Sequence, residues 1–333
     1  MKCAYLAFTD KGLALAQRLA EVSPGTVARC GADGVSLSAW TARQFADADA
    51  LVYIGAVGIA VRAIAPHCRS KAVDPAVVVL DEQGQFAISL LSGHLGGAND
   101  LTRRLAAACR AVPVITTATD ARGIFAVDEW AVRQNCAVAE PERIKYISSA
   151  LLAGKPVRYF SDWRIAGEPP TGVQPAACAA QADFALTLMP VGGALHIVPR
   201  VVVLGVGCKR GTTAHQLEEA LTAFCAASGL TPQSIAAAAS IDLKKEEPGL
   251  LQFAKTHGWT LEFYTSEALC AVPGRFTASH FVKEITGVDN VCERAAVKAA
   301  GGQLFVPKWA NNGVTLAAAL RPFAPDWRWK TDG

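Results

Sequence analysis

Short apolar runs of strand length alternate with amphipathic segments of helix length along the first third of the chain. The predicted strands are 3–8, 26–30, 50–56, 77–80, 85–91 and 112–116, and the predicted helices are 11–22, a short one ending at 44–48, 58–65 and 97–110. A turn signal at 81–84 separates two of these strands, which are therefore expected to pair antiparallel. The alternation predicts a doubly wound α/β sheet.

The pattern weakens after residue 136 and returns at residue 201. Seven prolines punctuate 137–199, where we predict a helix over 142–153 and short strands over 157–160 and 184–188. Downstream, the predicted strands are 201–206, 234–240, 260–264, 303–307 and 314–320. Three helices are predicted there: one that begins at 213, one over 248–257 and one over 290–300. We therefore predict two α/β domains with mostly parallel sheets, 1–136 and 200–333, joined by a small middle segment that contains a linker, 137–199.

Composition excludes several classes of protein. The chain has 333 residues, of which 51% are hydrophobic and 18% are charged, so it can bury sizeable cores and is not mainly disordered. Its mean hydropathy is +0.25, yet no run approaches the roughly 18 apolar residues of a membrane helix. A net charge of +3 is too small to argue for nucleic-acid binding. The first residues do not resemble a secretory signal, so we expect a cytoplasmic protein.

The ten cysteines form no C-x-x-C pair and have no zinc-finger spacing, so they are expected to be free thiols in a reducing compartment. Basic residues also occur in pairs beside predicted turns. These pairs are Arg103 with Arg104, Lys209 with Arg210, and Lys244 with Lys245. Each pair alone fits a solvated helix face, but their repeated position beside turns slightly favours an acidic ligand.

The segment 88–100 carries the densest candidate chemistry. A strand ends here in a turn of small residues, and one histidine, His94, precedes two glycines and a new helix. Free N–H groups at a helix start favour anions and an imidazole titrates near neutral pH, so the turn suits chemistry on an acidic substrate. His94 can serve as general acid or base; alternatively, it caps the helix or lies on the surface. Ser92 lacks the G-x-S-x-G context of a serine nucleophile.

Hydroxyl groups and a carboxylate follow the last N-terminal strand. Thr116, Thr117 and Asp120 stand at a strand end, where open α/β sheets bind ligands. The hydroxyls can hold substrate carboxylates, and Asp120 can orient His94 or a water; the alternative is an N-cap cluster for the next helix. Glu293 is a separate candidate base early in a predicted helix, where a carboxylate also stabilises the helix dipole.

A second glycine turn, 205–212, follows a strand far downstream. Its G-x-G-x-x-x-G pattern is not a Walker A loop, because five residues separate Gly205 from Gly211 and the residue immediately before Thr212 is not a lysine. The pattern is a weak relative of the dinucleotide fingerprint, and Asp242 follows about 30 residues later. An NAD(P)-dependent oxidoreductase is therefore one alternative, and a plain tight turn is another.

Seven segments of the chain, taken in order, carry a resemblance to a known family. They are IGAVGIAVR (54–62), DPAVVV (74–79), LSGHLGGAN (91–99), TTATD (116–120), LGVGCKRGT (204–212), ASIDLKKEE (239–247) and GVDNVCERAA (287–296). The ordered set resembles the cobalt-precorrin-5A hydrolase family (CbiG type) of anaerobic cobalamin biosynthesis. The segment between the two groups of motifs resembles that family only loosely.

The resemblance implies a hydrolase that opens the δ-lactone of cobalt-precorrin-5A and expels the two-carbon fragment as acetaldehyde, giving cobalt-precorrin-5B. Cobalt would arrive in the substrate, so no protein cofactor and no protein metal ligand is expected. We expect His94 to act as the base, oriented by Asp120, with the N–H groups of Gly96 and Gly97 as oxyanion donors. Glu293 or His94 is expected to take the proton of the freed hydroxyl.

Such a substrate is a flat macrocycle with many carboxylates, and it needs a wide cleft, which we expect between the two domains. The predicted substrate-binding residues are Gly55, Gly58, Arg62, Ser92, Gly93, Gly96, Gly97, Asn99, Thr116, Thr117, Gly205, Gly207, Cys208, Lys209, Arg210, Gly211, Thr212, Ser240 and Lys244. The basic members of this set are expected to pair with substrate carboxylates. The expected partners are this tetrapyrrole and neighbouring methyltransferases of the pathway, with neither nucleic acid nor a membrane. A non-catalytic corrinoid carrier is the remaining alternative.

Overall fold

Helices and strands alternate through the first third of the chain as the sequence predicts. The structure is a computed structural model that describes residues 1–70 and 73–329. The chain divides into two compact units: an N-terminal unit of Met1–Val132, Ile144–Lys155 and the residues from Arg328 onward, and a C-terminal unit of Arg133–Arg143 and Pro156–Trp327. None of the helices in the described ranges has the length and apolar character that crossing a membrane requires.

The N-terminal unit contains, within the described residues, a sheet of six strands. They are β1 (Cys3–Ala7), β2 (Gly25–Arg29), β3 (Ala50–Ile54), β4 (Ala76–Leu80), β5 (Phe86–Leu91) and β6 (Val112–Val114). The helices of this part of the chain are α1 (Asp10–Val22), α2 (Leu37–Asp47), α3 (Val57–Ile64), α4 (Ala98–Cys109), α5 (Ala118–Arg122), α6 (Val127–Arg133) and α7 (Ile144–Leu152). The predicted elements of the first 116 residues are confirmed, with ends that shift by one or two residues.

One reversal of strand direction decides which loops of this sheet can meet. The strand order is β2-β1-β3-β4-β5-β6. Neighbouring strands run parallel except β4 and β5, which pair antiparallel as predicted, with Leu80 opposite Ala87. The strands β5 and β6 therefore end at the edge of the sheet where β1, β3 and β4 begin.

Apolar side chains cover both faces of this sheet. Tyr5 and Leu101 pack on one face, whereas Leu6 and Tyr53 pack on the other, and all four are fully buried. A parallel strand that is buried on both faces has an unbroken apolar sequence rather than an alternating one. This explains why β1, β3 and β4 are visible in the sequence as short apolar runs.

The segment between the two predicted domains forms a sheet of its own. Its strands are β7 (Cys136–Val138), β8 (Val157–Ser161), β9 (Val173–Pro175), β10 (Phe184–Leu186) and β11 (Leu195–Pro199), in the order β7-β11-β10-β8-β9. The sequence predicts α7, β8 and β10 but misses the other three strands. Two of these have three residues, too few to show a period, and prolines stand at the ends of β9 and β11, where a strand tolerates them. The division of the chain at residues 136 and 200 stays a prediction.

The C-terminal sheet has the order β14-β13-β12-β16-β15. Its strands are β12 (Val202–Cys208), β13 (Ile235–Ile241), β14 (Thr260–Tyr264), β15 (Gln303–Asn311) and β16 (Val314–Leu320), and the helices are α8 (Ala214–Ser228), α9 (Pro248–His257), α10 (Ser266–Cys270), α11 (His280–Thr286) and α12 (Val291–Ala300). The strands β12, β13 and β14 run parallel, and β16 runs antiparallel to β12 and β15. The predicted α/β class with mostly parallel sheets is confirmed. A capping box of Thr213 and Gln216 begins α8.

Gly205 and Gly207 lie inside β12 rather than in the predicted glycine turn, because the strand continues to Cys208. The helix α12 crosses Gly205 so closely that a Cβ there would lie 1.8 Å from the carbonyl oxygen of Cys292. A Cβ on Gly207 would lie 2.4 Å from Oγ1 of Thr315. Packing therefore accounts for both glycines, and the turn itself is corrected to the residues that follow the strand.

The close approach of α12 makes Gly205 a test of this packing. We expect Gly205→Ala to lower the free energy of unfolding by about 3 kcal/mol, because the backbone of α12 must move away from the new methyl group. A matched control is Gly192→Ala, where a Cβ meets nothing within 4 Å. That control should change stability by less than about 0.5 kcal/mol in urea unfolding. Equal stabilities of the two variants would contradict the described contact.

Candidate active site

The turn between β5 and α4, residues 92–97, closes on itself through backbone hydrogen bonds; we call it the histidine turn. The N–H of Ala98 donates to the carbonyl oxygen of Ser92 at 3.1 Å. The N–H of Gly97 donates to the carbonyl oxygen of His94 at 2.9 Å. We therefore correct the expected role of the Gly97 amide as an oxyanion donor, because that N–H already has an acceptor inside the turn.

Two further glycines make room for the turn's own side chains. A Cβ on Gly93 would lie 2.7 Å from Oδ1 of Asn99, and a Cβ on Gly96 would lie 2.4 Å from Cβ of Ser92. The glycine pattern that suggests close approach of a ligand is thus explained by the folding of the turn. Binding of substrate by these residues stays a prediction.

The imidazole of His94 lies between two carboxylates. Its Nε2 is 2.9 Å from Oδ2 of Asp120, and its Nδ1 is 3.1 Å from Oδ2 of Asp128, in the first turn of α6. The contact with Asp120 is the one that the sequence suggests. It forms because β5 and β6 end at the same edge of the sheet, so the turns that follow them meet.

Asp120 is held from several sides by residues of the predicted site. Oγ1 of Thr117 and Nδ2 of Asn99 donate to its Oδ2, at 2.6 and 3.0 Å. The guanidinium of Arg103 donates to the other oxygen, Oδ1. Thr116, one residue before Thr117, is exposed. Three side chains besides His94 thus fix the orientation of this carboxylate.

Arg103 connects Asp120 to two more carboxylates. Its Nη1 lies 3.0 Å from Oδ1 of Asp100 and 3.5 Å from Oε1 of Glu129. Glu129 is 4% exposed, and its Oε2 has no hydrogen-bond partner in the described part of the chain. We call the following group the carboxylate cluster: His94, Asp100, Arg103, Asp120, Asp128 and Glu129. When all six side chains are ionised, four negative charges face two positive ones, so the expected anion-binding turn is in fact surrounded by carboxylates.

The cluster sets the charge of its members. Burial alone would lower the pKa of His94, but hydrogen bonds with Asp120 and Asp128 and the charges of Asp128 and Glu129 raise it from 6.5 to about 10. Burial tends to raise the pKa of Asp120, but the hydrogen bond from His94 and the charge of Arg103 outweigh it and hold that pKa below its usual range. For Glu129, burial and the charge of Asp120 raise the pKa. The imidazole is therefore a cation at neutral pH.

With both ring nitrogens facing carboxylates, His94 has no lone pair that could take a proton from water. The expectation that His94 acts as a free general base is therefore wrong, because the ring is held here as an imidazolium. A catalytic role for His94 and Asp120 stays a prediction.

Gly55, Gly58 and Arg62 lie at the opposite edge of the same sheet. They follow β3, which runs opposite to β5, so a strand of five residues, about 16 Å, separates them from the histidine turn. Nη1 of Arg62 donates to the carbonyl oxygen of Gly58 at 3.5 Å. The sequence groups these residues with His94 in one site, and the structure does not bring them together.

In the C-terminal unit, the turn 209–212 follows β12 at the edge where β13 also ends, so Lys244 is its neighbour. Glu247 links the two turns: it accepts from the N–H of Gly211 at 2.7 Å and from Nζ of Lys244 at 3.1 Å. Lys209 and Arg210 are exposed. The predicted basic residues of this unit are thus grouped at one sheet edge, and their binding role stays a prediction.

Two hydroxyl groups at this edge already have hydrogen-bond partners. Ser240 is fully buried and donates to the carbonyl oxygen of Val206 at 2.7 Å, so we correct its expected contact with substrate. Oγ1 of Thr212 donates to the carbonyl oxygen of Lys209 at 2.8 Å. Burial raises the pKa of the Cys208 thiol, against the opposing charge of a nearby lysine. This thiol is therefore not an activated nucleophile.

Glu293 is a buried hydrogen-bond acceptor of the C-terminal unit. It is 0% exposed, and its carboxylate accepts from the N–H groups of Thr277 (2.7 Å) and Lys308 (2.6 Å). The hydroxyl of Thr277 (2.9 Å) and the side-chain amide of Asn290 (2.7 Å) also donate to it. Four donors occupy this carboxylate, so its expected role as a base is corrected to one of joining three chain segments. It belongs to a different unit from His94.

Sequence reasoning misses Asp128 and Glu129 and interprets Arg103 as part of a solvated helix face. The two carboxylates stand in the first turn of α6, where acidic residues commonly stabilise the helix dipole, so their type and position carry no signal of chemistry. Arg103 does carry a weak signal of a role in the site, since it lies one helical turn after Asn99 on the same face of α4.

Comparison with known proteins gives consistent matches along the chain. Family models described as Cobalamin synthesis G N-terminal, Cobalamin biosynthesis central region and Cobalamin synthesis G C-terminus match residues 39–120, 125–180 and 202–319. A Salmonella typhimurium protein named cobalt-precorrin-5A hydrolase is 37% identical over 95% of this chain and 97% of its own length. A Priestia megaterium protein of the same name is 33% identical over 82% and 79%. A solved Sulfolobus solfataricus protein described as a cobalamin biosynthesis protein G homologue is 20% identical, with a TM-score of 0.42, over 96% of this chain and 97% of that one.

The protonation of His94 can be observed directly. In buffer with a chelator, we expect the ring ¹⁵N signals of His94 to stay those of an imidazolium from pH 5.5 to 8.5, because two carboxylates raise its pKa to about 10. Since this value is above the ordinary 6.5, His94 stabilises the fold below pH 6.5, and the contribution disappears as the pH rises toward 10. Ring signals of a neutral His94 imidazole within that pH range would contradict the described contacts.

Glu293 should matter for folding. Glu293→Ala leaves the N–H groups of Thr277 and Lys308 without their acceptor, so we expect the free energy of unfolding to fall by at least about 2 kcal/mol. Glu284→Ala, at an exposed position of α11, should stay within about 0.5 kcal/mol of the parent. Urea unfolding measures both, and an unchanged stability of Glu293→Ala would show that this network is not needed.

Proposed function

The chain belongs to the cobalamin synthesis G family, and we propose that it opens the δ-lactone of cobalt-precorrin-5A and releases the two-carbon fragment as acetaldehyde, giving cobalt-precorrin-5B. The observation that carries the proposal is the match to the Salmonella cobalt-precorrin-5A hydrolase, which extends over nearly the whole of both chains. Relatives that share a fold and full length can differ in chemistry, so the site must supply what the reaction needs.

The reaction consumes one water in two steps. Water adds to the lactone carbonyl carbon and the ring C–O bond breaks, leaving a carboxylate and a hydroxyl group. The hydroxyl then loses its proton, its oxygen forms a C=O bond, and the C–C bond to the macrocycle breaks. The electron pair of that bond passes into the macrocycle, which takes up a proton, and acetaldehyde leaves. The first step develops negative charge on the carbonyl oxygen, and the second requires acceptance and return of a proton.

The carboxylate cluster is the part of the N-terminal unit that fits these requirements. The imidazolium of His94 and the guanidinium of Arg103 are fixed cations, and preorganised positive charge stabilises a developing oxyanion. Asp128 and Glu129 are buried carboxylates on the same short helix, and they can accept or return protons. Because His94 has no free nitrogen, the water is activated by something other than a neutral imidazole.

On the substrate side, the exposed basic residues Lys209 and Arg210 suit pairing with the carboxylates of a tetrapyrrole. Cobalt comes to the protein within that tetrapyrrole. The neighbouring methyltransferases of the pathway are the partners that we propose, and the cytoplasm is the compartment.

Acetaldehyde release tests the proposal. The purified protein is incubated with cobalt-precorrin-5A, and acetaldehyde is followed by NADH oxidation with alcohol dehydrogenase against an enzyme-free control. We expect one acetaldehyde per substrate, and a fall of at least about 100-fold in the rate for His94→Ala, because its charge organises the cluster. His215→Ala, at an exposed surface position, should keep the parental rate.

The possible results separate the candidate functions. Tight binding of the tetrapyrrole without acetaldehyde would replace the hydrolase by a carrier. A rise in melting temperature with NAD(P), again without acetaldehyde, would favour the oxidoreductase. A near-normal rate for His94→Ala would remove the carboxylate cluster from the reaction.

A further inference from the structure

We propose that the carboxylate cluster binds one divalent transition-metal ion through His94, Asp120 and Glu129. A ring nitrogen of His94 and one carboxylate oxygen from each of the other two lie within 4.8 Å of one another. One imidazole nitrogen with two carboxylate oxygens suits Mn²⁺, Fe²⁺, Co²⁺ or Zn²⁺ better than Mg²⁺ or Ca²⁺, which prefer oxygen ligands throughout.

The imidazole is held as metal-bound imidazoles usually are. A metal-ligating histidine commonly donates its second ring N–H to a carboxylate, which fixes the tautomer and the ring plane. Asp128 takes this position, 3.1 Å from Nδ1 of His94. The other nitrogen, Nε2, shares one proton with Asp120 at 2.9 Å, and the metal ion takes the place of that proton.

Glu129 supplies an observation that is independent of these hydrogen bonds. The residue is 4% exposed, yet its Oε2 has no partner among the described residues. A buried carboxylate oxygen normally has a donor or a cation beside it. Arg103 does not compete for this place, because it contacts the opposite oxygens, Oε1 of Glu129 and Oδ1 of Asp120.

The charge of the cluster favours the same conclusion. With all six side chains ionised, the four carboxylates, one imidazolium and one guanidinium of the cluster carry a net charge of −2. Replacement of one imidazole proton by a dication changes the net charge of the cluster to −1. Buried charges are stable when they are paired or when they coordinate a metal. The expectation of no protein metal ligand followed from the arrival of cobalt within the substrate, and ligands from three separate segments form no motif in the sequence.

The inference deepens the hydrolase function proposed above and rests on it for its chemical role. A water on the ion loses one proton to solvent, and its oxygen bonds to the lactone carbonyl carbon. The ring C–O bond then breaks, and the leaving alkoxide takes the proton of the new carboxylic acid. One water is consumed, and a carboxylate, a hydroxyl group and one proton are formed. The ion thus supplies the activation of water that the doubly bonded His94 cannot.

Binding of Mn²⁺ tests the inference without substrate. Mn²⁺ is the probe because it binds thiols weakly, and the chain has ten free cysteines. We expect calorimetry on chelator-treated protein at pH 7.5 to give one ion per chain. The expected Kd increases at least tenfold in Glu129→Gln, which replaces an anionic ligand by a neutral one of the same shape. Asp128→Asn should weaken binding by about 10- to 100-fold through the orientation of His94. Electron paramagnetic resonance of bound Mn²⁺ should show coupling to an imidazole nitrogen.

The matched control is a histidine and carboxylate pair for which the described residues supply no third ligand. Nε2 of His257 lies 2.8 Å from Oε1 of Glu218 in the C-terminal unit, so His257→Ala should bind Mn²⁺ like the parent. Absence of saturable binding below about 1 mM, or equal Kd values for the parent, Glu129→Gln and Asp128→Asn, would overturn the inference. Acetaldehyde release without Mn²⁺ binding contradicts the metal site alone, and binding without acetaldehyde release contradicts the hydrolase alone.

Discussion

One imidazole held between two carboxylates determines the chemistry of the N-terminal unit. A neutral imidazole has a single N–H, so His94 can satisfy two ionised carboxylates, Asp120 and Asp128, only as a cation or with a metal ion in place of one proton. Either state removes it as a free base and turns it into a fixed centre of positive charge. The surrounding groups follow from this choice: Thr117 and Asn99 secure the orientation of Asp120, and Arg103 offsets part of the remaining negative charge.

The fold makes this contact possible through one reversed strand. In a fully parallel sheet, the turns after β3, β5 and β6 would share an edge. Because β5 runs antiparallel to β4, the histidine turn and the turn before α5 meet at one edge, and the turn that contains Gly55 lies at the other. In the C-terminal sheet, β12 and β13 are parallel neighbours and end at the same edge. The turn 209–212 and Lys244, which follow these strands, are therefore neighbours.

Sequence reasoning succeeds where the signal is local. Buried parallel strands are visible as apolar runs, and the strand, turn and helix around His94 follow from small residues and periodicity. It also pairs His94 with Asp120, since both follow strand ends. It fails where tertiary contacts are the cause. Gly205 is required by the close approach of α12, and Glu293 by the buried N–H donors around it. Asp128 and Glu129 have the sequence of an ordinary helix start, and only the fold places them near His94. The strands of the middle sheet are too short to have a period.

The central claim is that hydrolysis takes place at the imidazole held by Asp120 and Asp128. Its most direct test is the steady-state rate of acetaldehyde release by Asp120→Asn, a change that keeps the shape of the side chain and removes its charge. We expect a fall in kcat of about 100-fold with a much smaller change in KM, because we propose that Lys209 and Arg210, not Asp120, bind the substrate carboxylates. A kcat equal to that of the parent protein would contradict it.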